Sequence, residues 1–326
     1  VGHGDRYRIR LDGGDPLPDP ASRHQPDGVH GSSAVVDPRR FTWTDDDWTG
    51  LDLTDTILYE LHIGTFTRDG SFDATIGGLD RLVELGVTAI ELMPVNAFPG
   101  RHNWGYDGVF VSAVQASYGG PEGLARLVDA AHARRLAVVL DVVYNHLGPE
   151  GNVLARFAPF FTDSYTTPWG PAVNVAEAGS DQVRRLFIES ATGFVGDFHI
   201  DGLRLDAIHA IVDPTARPFV QELTEAVHAV GDMASRRLLV TAESSANDPR
   251  VVLPAARHGL GCDAVWDDDV HHALRVALTG ERHEYYADYD GVDDLADALE
   301  HRWVLRGRRS TTRGRRHGAP VDDIDH

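Results

Sequence analysis

The segment DGLRLDAIH, residues 201–209, sets Arg204 and Asp206 two positions apart. On a β-strand that spacing turns both side chains to one face, while Leu203 and Leu205 turn to the other. A guanidinium beside a carboxylate lowers the carboxylate's pKa, so the pair would keep Asp206 ionised and nucleophilic at neutral pH. An isolated pair of this kind is more often a structural ion pair near a strand end. A second acid, Glu243, closes the apolar run LLVTAESS at 238–245. Partial desolvation there raises a carboxyl pKa and leaves a proton to give to a leaving oxygen; the plainer role is a cap on the following helix. Two such acids at one end of adjacent strands, about 5 to 5.5 Å apart, suit double displacement with retention at an anomeric carbon, and a wider gap would suggest inversion.

Two further segments offer groups for binding a sugar. DVVYNH at 141–146 ends an apolar run with Asp141 inside and an Asn–His pair beyond it. His146 could donate to a sugar hydroxyl, with metal ligation or surface packing as equal competitors. HNWGYDG at 102–108 presents Trp104 and Tyr106 as flat apolar faces for a pyranose ring, with Gly105 allowing close approach. Aromatic residues in such a loop are otherwise more often core.

The elements that must position these residues show in the hydrophobic pattern. Six short apolar runs rich in Val, Ile and Leu, at 57–66, 89–95, 137–143, 202–208, 238–244 and 263–267, read as strands buried on both faces of a parallel sheet. Between the first two, Ile76, Leu79, Leu82, Val83 and Leu85 recur at helical spacing, with Gly86 placed to stop the helix. Gly120 and Pro121 open a second helix, and further helices are expected at 182–196, 217–233 and 270–278. Repeated strand–helix alternation implies a doubly wound sheet or a barrel, between which periodicity does not choose. Residues 1–50 are rich in Gly, Pro, Asp and Arg, with one strand expected at 6–11; they read as the tail of a preceding β domain and a linker. The insert 147–179 is a loop too long for mere connection and reads as part of a binding site.

Composition narrows the function classes. With 42% hydrophobic and 25% charged residues over 326 positions, the chain is an ordinary globular one. Fifty acidic against thirty basic residues give a formal charge of -20, which repels phosphate backbones and anionic lipid, so neither nucleic acid nor membrane is an expected partner. A single cysteine, Cys262, allows no intrachain disulfide and favours a reducing compartment, with the cytoplasm as the expectation. No stretch approaches the length of a membrane span, and residue 1 is Val rather than Met, so a fragment is expected.

Taken in order, the four segments from 102 to 243 resemble the alpha-amylase superfamily of glycoside hydrolases, over roughly residues 56–289. The resemblance implies an α/β fold, a (β/α)8 TIM barrel, of which about six of eight strands are present in residues 51–326. It implies Asp206 as nucleophile and Glu243 as acid/base. It further implies that Arg204 orients the nucleophile, Asp141 supports Arg204, and Tyr106 and His146 line the non-reducing subsite. His209 would face the leaving portion, and Trp104 and Asp107 complete the substrate shell. No metal site and no cofactor are implied. Within the superfamily, ILYELHIGTFT, AFPGRHNWGYDGV, WDDDVHHAL and YYADY are similar to the maltooligosyltrehalose trehalohydrolases. The implied partner is therefore maltooligosyltrehalose or a related α-glucan, cleaved at the α-1,4 bond beside a terminal trehalose. In that reading Asp268 and His271, with Asp267 and His272, help to read the trehalose end; a solvated helix start is the equal alternative.

Glycogen-branching and debranching enzymes share the same four segments, and a non-catalytic glucan-binding protein is the rival from another class. The superfamily's third acid, in an Asn-His-Asp segment, has no match after Glu243, and 307–326 resembles the Arg- and Gly-rich stretch that precedes it. The chain is thus expected to stop before the seventh strand and to be weak or inactive alone, with open strand edges.

Overall fold

The computed structural model describes residues 1–321. They divide into two compact units, one of residues 1–206 and 210–240, the other of 207–209 and the residues from 241 onward.

In the first unit four parallel strands lie side by side in chain order: β1 (Leu58–Leu61), β2 (Ala89–Leu92), β3 (Ala137–Val142) and β4 (Gly202–Leu205). Every residue of β2 and β3 is buried, because helices and loops cover both faces; this is why those strands read as apolar runs broken only by Glu91 and Asp141. A fifth strand, β5 (Leu239–Glu243), starts here, with the Leu239 N–H donating to the Asp201 carbonyl at 2.9 Å. Its helices are α1 (Phe72–Ile76), α2 (Leu79–Glu84), α3 (Gly120–His132), α4 (Ser180–Asp197) and α5 (Phe219–Ala234). Pro121 sits in the first turn of α3, where its missing N–H costs nothing, and Leu124, Leu127, Val128 and Ala131 face inward. Each of the three larger side chains is wholly buried and contributes roughly 1.5–3 kcal/mol.

Several boundaries differ from the sequence reading. The first strand ends at Leu61, and Ile63–Phe66 forms a helical turn instead of continuing to residue 66. The helix expected around 76–85 is broken into α1 and α2 at Gly77 and Gly78, where a Cβ on Gly78 would lie 2.6 Å from the Phe66 ring. Gly86 does adopt a left-handed φ of 89° after α2. The strand expected at 6–11 is two short strands, Arg6–Tyr7 and Ile9–Arg10, which pair with Ser33–Ala34 and Pro16–Leu17 respectively. Residues 161–173 of the long insert form a hairpin of Phe161–Thr167 and Gly170–Val173, rather than an irregular loop.

Residues 1–50 belong to the same compact unit as β1 to β4. The cause is a buried polar network at the strand starts. Asp201 precedes β4 and is 2% exposed; its Oδ1 accepts from Trp48 Nε1 at 2.7 Å and Arg236 Nη2 at 2.9 Å, and its Oδ2 from the Val138 N–H at 2.8 Å. The His132 ring nitrogens lie 2.8 Å from Asp201 Oδ2 and 2.7 Å from Asp45 Oδ2, and His199 reaches Asp45 at 2.8 Å. Burial acts to raise the Asp45 pKa, but the hydrogen bonds from His199 and His132 outweigh it and hold the carboxyl below its ordinary value.

In the second unit, residues of β5 from Thr241 to Glu243 pair in parallel with β6 (Ala264–Trp266). Helices α6 (Asp268–Thr279) and α7 (Val292–His301) follow, then a hairpin of Arg308–Ser310 and Arg315–His317 within the Arg-rich stretch. The end of that stretch, 322–326, lies outside the described residues. The core of this unit gathers Ala273, Val276, Tyr286, Tyr289, Ala298 and Leu305.

Candidate active site

The carboxyl ends of β3 and β4 bring together most of the residues singled out in the first unit. Asp206 is the first residue past β4; its N–H still donates to the Val142 carbonyl at 3.1 Å, so the ladder holds its backbone. Ala207 then takes a φ of 41°, a left-handed turn in a residue with a Cβ, which is strain of roughly 1 kcal/mol or more.

Arg204 Nη1 donates to Asp206 Oδ1 at 3.0 Å and to Asp141 Oδ2 at 2.8 Å. The two-residue spacing thus does place Arg204 beside Asp206, and Asp141 does hold the guanidinium from β3. The Tyr106 hydroxyl donates to the same Asp141 oxygen at 2.9 Å. Asp141 Oδ1 is buried with no hydrogen-bond partner. Burial, working against the pull of Arg204, pushes the Asp141 carboxyl up to about 7.

The loop after β3 reaches back to Asp206. Asn145, 1% exposed, donates through Nδ2 to both Asp206 Oδ2 at 2.7 Å and the Asp206 carbonyl at 2.9 Å. Both ring nitrogens of His146 are engaged inside the protein, Nδ1 2.5 Å from Asn145 Oδ1 and Nε2 3.0 Å from the Tyr106 carbonyl. Burial lowers the His146 pKa, and a neutral ring donates from only one of these two nitrogens. Trp169, at the tip of the insert hairpin, is 50% exposed and stacks on the His146 ring with centroids 5.3 Å apart.

Trp104 is 74% exposed, and Asp107 is exposed and accepts from Asn103 Nδ2 at 2.8 Å. Tyr106 is half-buried and spends its hydroxyl on Asp141, so its role here is as much in the protein's own network as toward a ligand. Gly105 is required for a reason other than approach by a ligand. At φ 102° a Cβ there would lie 2.2 Å from the Pro94 carbonyl oxygen.

In the second unit Glu243 is half-buried at the end of β5, and its Oε2 accepts from the Ala207 N–H at 2.8 Å. His209 is exposed two residues further along that turn. Asp268 is half-buried at the start of α6 and His271 is exposed, its ring 5.1 Å from that of His272. Their neighbours are not a solvated helix start. Asp267 caps the helix by accepting from the Asp269 N–H at 2.9 Å, and burial pushes its carboxyl up to about 7. Asp269 Oδ2 accepts from the Val304 N–H at 2.7 Å, the Leu305 N–H at 2.8 Å and Asn247 Nδ2 at 2.9 Å, while Oδ1 takes the Tyr289 hydroxyl at 2.6 Å. His272 stacks on Tyr285 at 4.8 Å and meets Tyr286 and Tyr289 edge-on, and of the YYADY segment Tyr286 and Tyr289 are packed in the core of this unit. Asn145, Trp169 and Asp269 were missed from sequence; of these only Asn145 carried a signal, as half of the Asn–His pair.

The family model of the alpha amylase catalytic domain matches residues 35–160. The malto-oligosyltrehalose trehalohydrolase of Saccharolobus solfataricus is 47% identical over 322 residues, 99% of this chain and 56% of that protein. The chain belongs to the alpha-amylase superfamily. The enzyme of the same name from Arthrobacter ramosus is 49% identical over 316 residues, 97% of this chain and 55% of that protein. A solved structure, titled as an alpha amylase from Salmonella typhimurium, superposes with a TM-score of 0.92 at 41% identity, covering 98% of this chain and 55% of that one. The chain therefore spans little more than half the length of these relatives. Its parallel strands and intervening helices are those of an incomplete (β/α)8 barrel, the fold class expected from the sequence. No helix among the described residues is long and apolar enough to cross a membrane.

Proposed function

We propose that the protein carrying this chain is a retaining glycoside hydrolase that cleaves the α-1,4 bond beside the terminal trehalose of maltooligosyltrehalose, releasing trehalose. The observation that carries the reading is the 47–49% identity, over nearly the whole chain, to proteins named for that reaction. The arrangement around Asp206 supports it. A carboxylate held by Arg204 and Asn145 at a barrel strand end is a group prepared for attack on an anomeric carbon.

In the first step the Asp206 carboxylate forms a bond to the anomeric carbon while the bond from that carbon to the glycosidic oxygen breaks. Glu243 gives its proton to the departing oxygen. In the second step water attacks the same carbon, Glu243 takes a proton from it, and the carboxylate of Asp206 leaves. Two inversions return the original configuration. Asp268 and His271 are assigned to the trehalose side, Trp104 and Tyr106 to the glucan side, and the cytoplasm is the proposed compartment.

The test is a product assay on the full-length protein. Maltooligosyltrehalose should yield free trehalose, plain maltooligosaccharides of equal length should be poor substrates, and Asp206→Asn should lower turnover by about 10⁴-fold or more. Equal rates on the two substrates would overturn the specificity, and an undiminished Asp206→Asn variant would overturn the mechanism.

A further inference from the structure

We infer that Asn145 is a positioning residue for Asp206, fixing the second oxygen of its carboxylate while Arg204 fixes the first. The inference rests on the proposed role of Asp206 as nucleophile. Arg204 Nη1 meets Oδ1 at 3.0 Å, and a donor on the other oxygen opposes rocking of the carboxylate about its Cβ–Cγ bond. Asn145 acts on that other oxygen, with Nδ2 2.7 Å from Oδ2. The same nitrogen donates to the Asp206 carbonyl at 2.9 Å, so side chain and backbone of one residue are gripped by one amide.

The orientation of the Asn145 amide is itself determined. Nδ2 faces two acceptors on Asp206, which only an NH₂ group satisfies, and Oδ1 faces His146 Nδ1 at 2.5 Å. His146 is anchored through Nε2 to the Tyr106 carbonyl and stacked under Trp169. The positioning group is therefore backed by a chain of contacts from two other loops. An amide has a chemical advantage over another cation at this place. It restrains Oδ2 without a full positive charge, which would draw down the carboxylate's basicity and with it the rate of bond formation at the anomeric carbon.

The charged and titratable groups facing Asp206 from the first unit are Arg204 and Asp141 on the strands, Tyr106 from its loop, and His146 beside Asn145. Replacing Asn145 changes what Asp206 meets and alters the partner of His146 Nδ1, while the contacts among Arg204, Asp141 and Tyr106 stay as they are. The experiment compares Asn145→Asp, Asn145→Ala and Asp206→Asn in the full-length protein acting on maltooligosyltrehalose, reading kcat, KM and the pH profile of kcat/KM. Asn145→Asp keeps the shape but replaces the donor by a second carboxyl. It should lower kcat by about 10²-fold, leave KM within a few-fold, and move the acid limb of kcat/KM upward by about one pH unit or more. Asn145→Ala, the variant to rely on if the Asp form does not fold, should lower kcat by about 10-fold and move the limb in the same direction by less. A fall in kcat with the acid limb unmoved in every variant that folds would overturn the inference and leave Asn145 a packing residue. An Asp206→Asn variant that keeps its activity would instead sink the nucleophile assignment, so the two failures are distinguishable.

Discussion

The two ends of β3 and β4 each hold a buried aspartate, and they are treated in opposite ways. At the strand starts Asp201 has both oxygens filled, by an indole, a guanidinium, an imidazole and a backbone amide. At the strand ends Asp141 is equally buried, yet one oxygen has no partner and its carboxyl is pushed up to about 7. A buried carboxylate with every oxygen satisfied holds a fold together. One left incomplete is retained at a cost, and such groups gather where chemistry is done. The comparison sets a satisfied end of this unit against the end where the chemistry is proposed.

The largest effect should come from the start end. Asp201→Ala would strand Trp48, Arg236 and His132 without their acceptor, and unfolding in urea should show a loss of about 3–5 kcal/mol. If the loss were under about 1 kcal/mol, the assignment of roles to the two ends would break. Next, Arg204→Lys keeps the charge but loses the fixed plane that sets one guanidinium nitrogen between Asp141 and Asp206. Turnover should fall by about 10²-fold or more while the thermal midpoint stays close to that of the parent.

The ends should also differ in the sign of their pH dependence. The folded pKa of Asp141 is raised, so its contribution to stability is full below about pH 4 and is lost as pH rises towards 7. The folded pKa of Asp45 is lowered, so its contribution is present above its ordinary pKa and is lost as pH falls. Asp141→Asn should therefore gain on the parent by at least about 1 kcal/mol between pH 4.5 and 7.5 in denaturant titrations, and a parallel pair of curves would refute this. The smallest change concerns Trp104. With 74% of it exposed, Trp104→Ala should leave stability within about 0.5 kcal/mol while KM rises several-fold if the ring serves as a sugar platform.

How far the sequence disclosed this molecule depended on how local each cause was. Strands β2 and β3 were legible because burial on both faces leaves a largely apolar run, while β1 and β6 are only partly buried and were legible from their composition. Their ends were not, since apolar Ile63 and Phe66 serve a helical turn as readily as a strand. Arg204 and Asp206 could be paired from a spacing of two, and Asp141 could be added as the acid within its strand end. Asn145 and Trp169 act through contacts made 61 and 23 residues away in the chain, with Asp206 and His146, and no periodicity reports such contacts. For the same reason the acidic start of α6 was read as a choice between solvent and ligand. Asp269 in fact ties together amides from residues 304 and 305, which only the fold brings to it.

The grip of His146 on the Tyr106 carbonyl, and of the Gly148 N–H on the Gly108 carbonyl at 2.9 Å, rivets the loop after β3 to the 102–108 loop. At Gly148 a methyl group would stand 2.1 Å from the Asp107 carbonyl oxygen, so the joint tolerates no wedge. A residue change in the 102–108 loop would therefore also be felt, through imidazole and amide, at the Asp206 carboxyl.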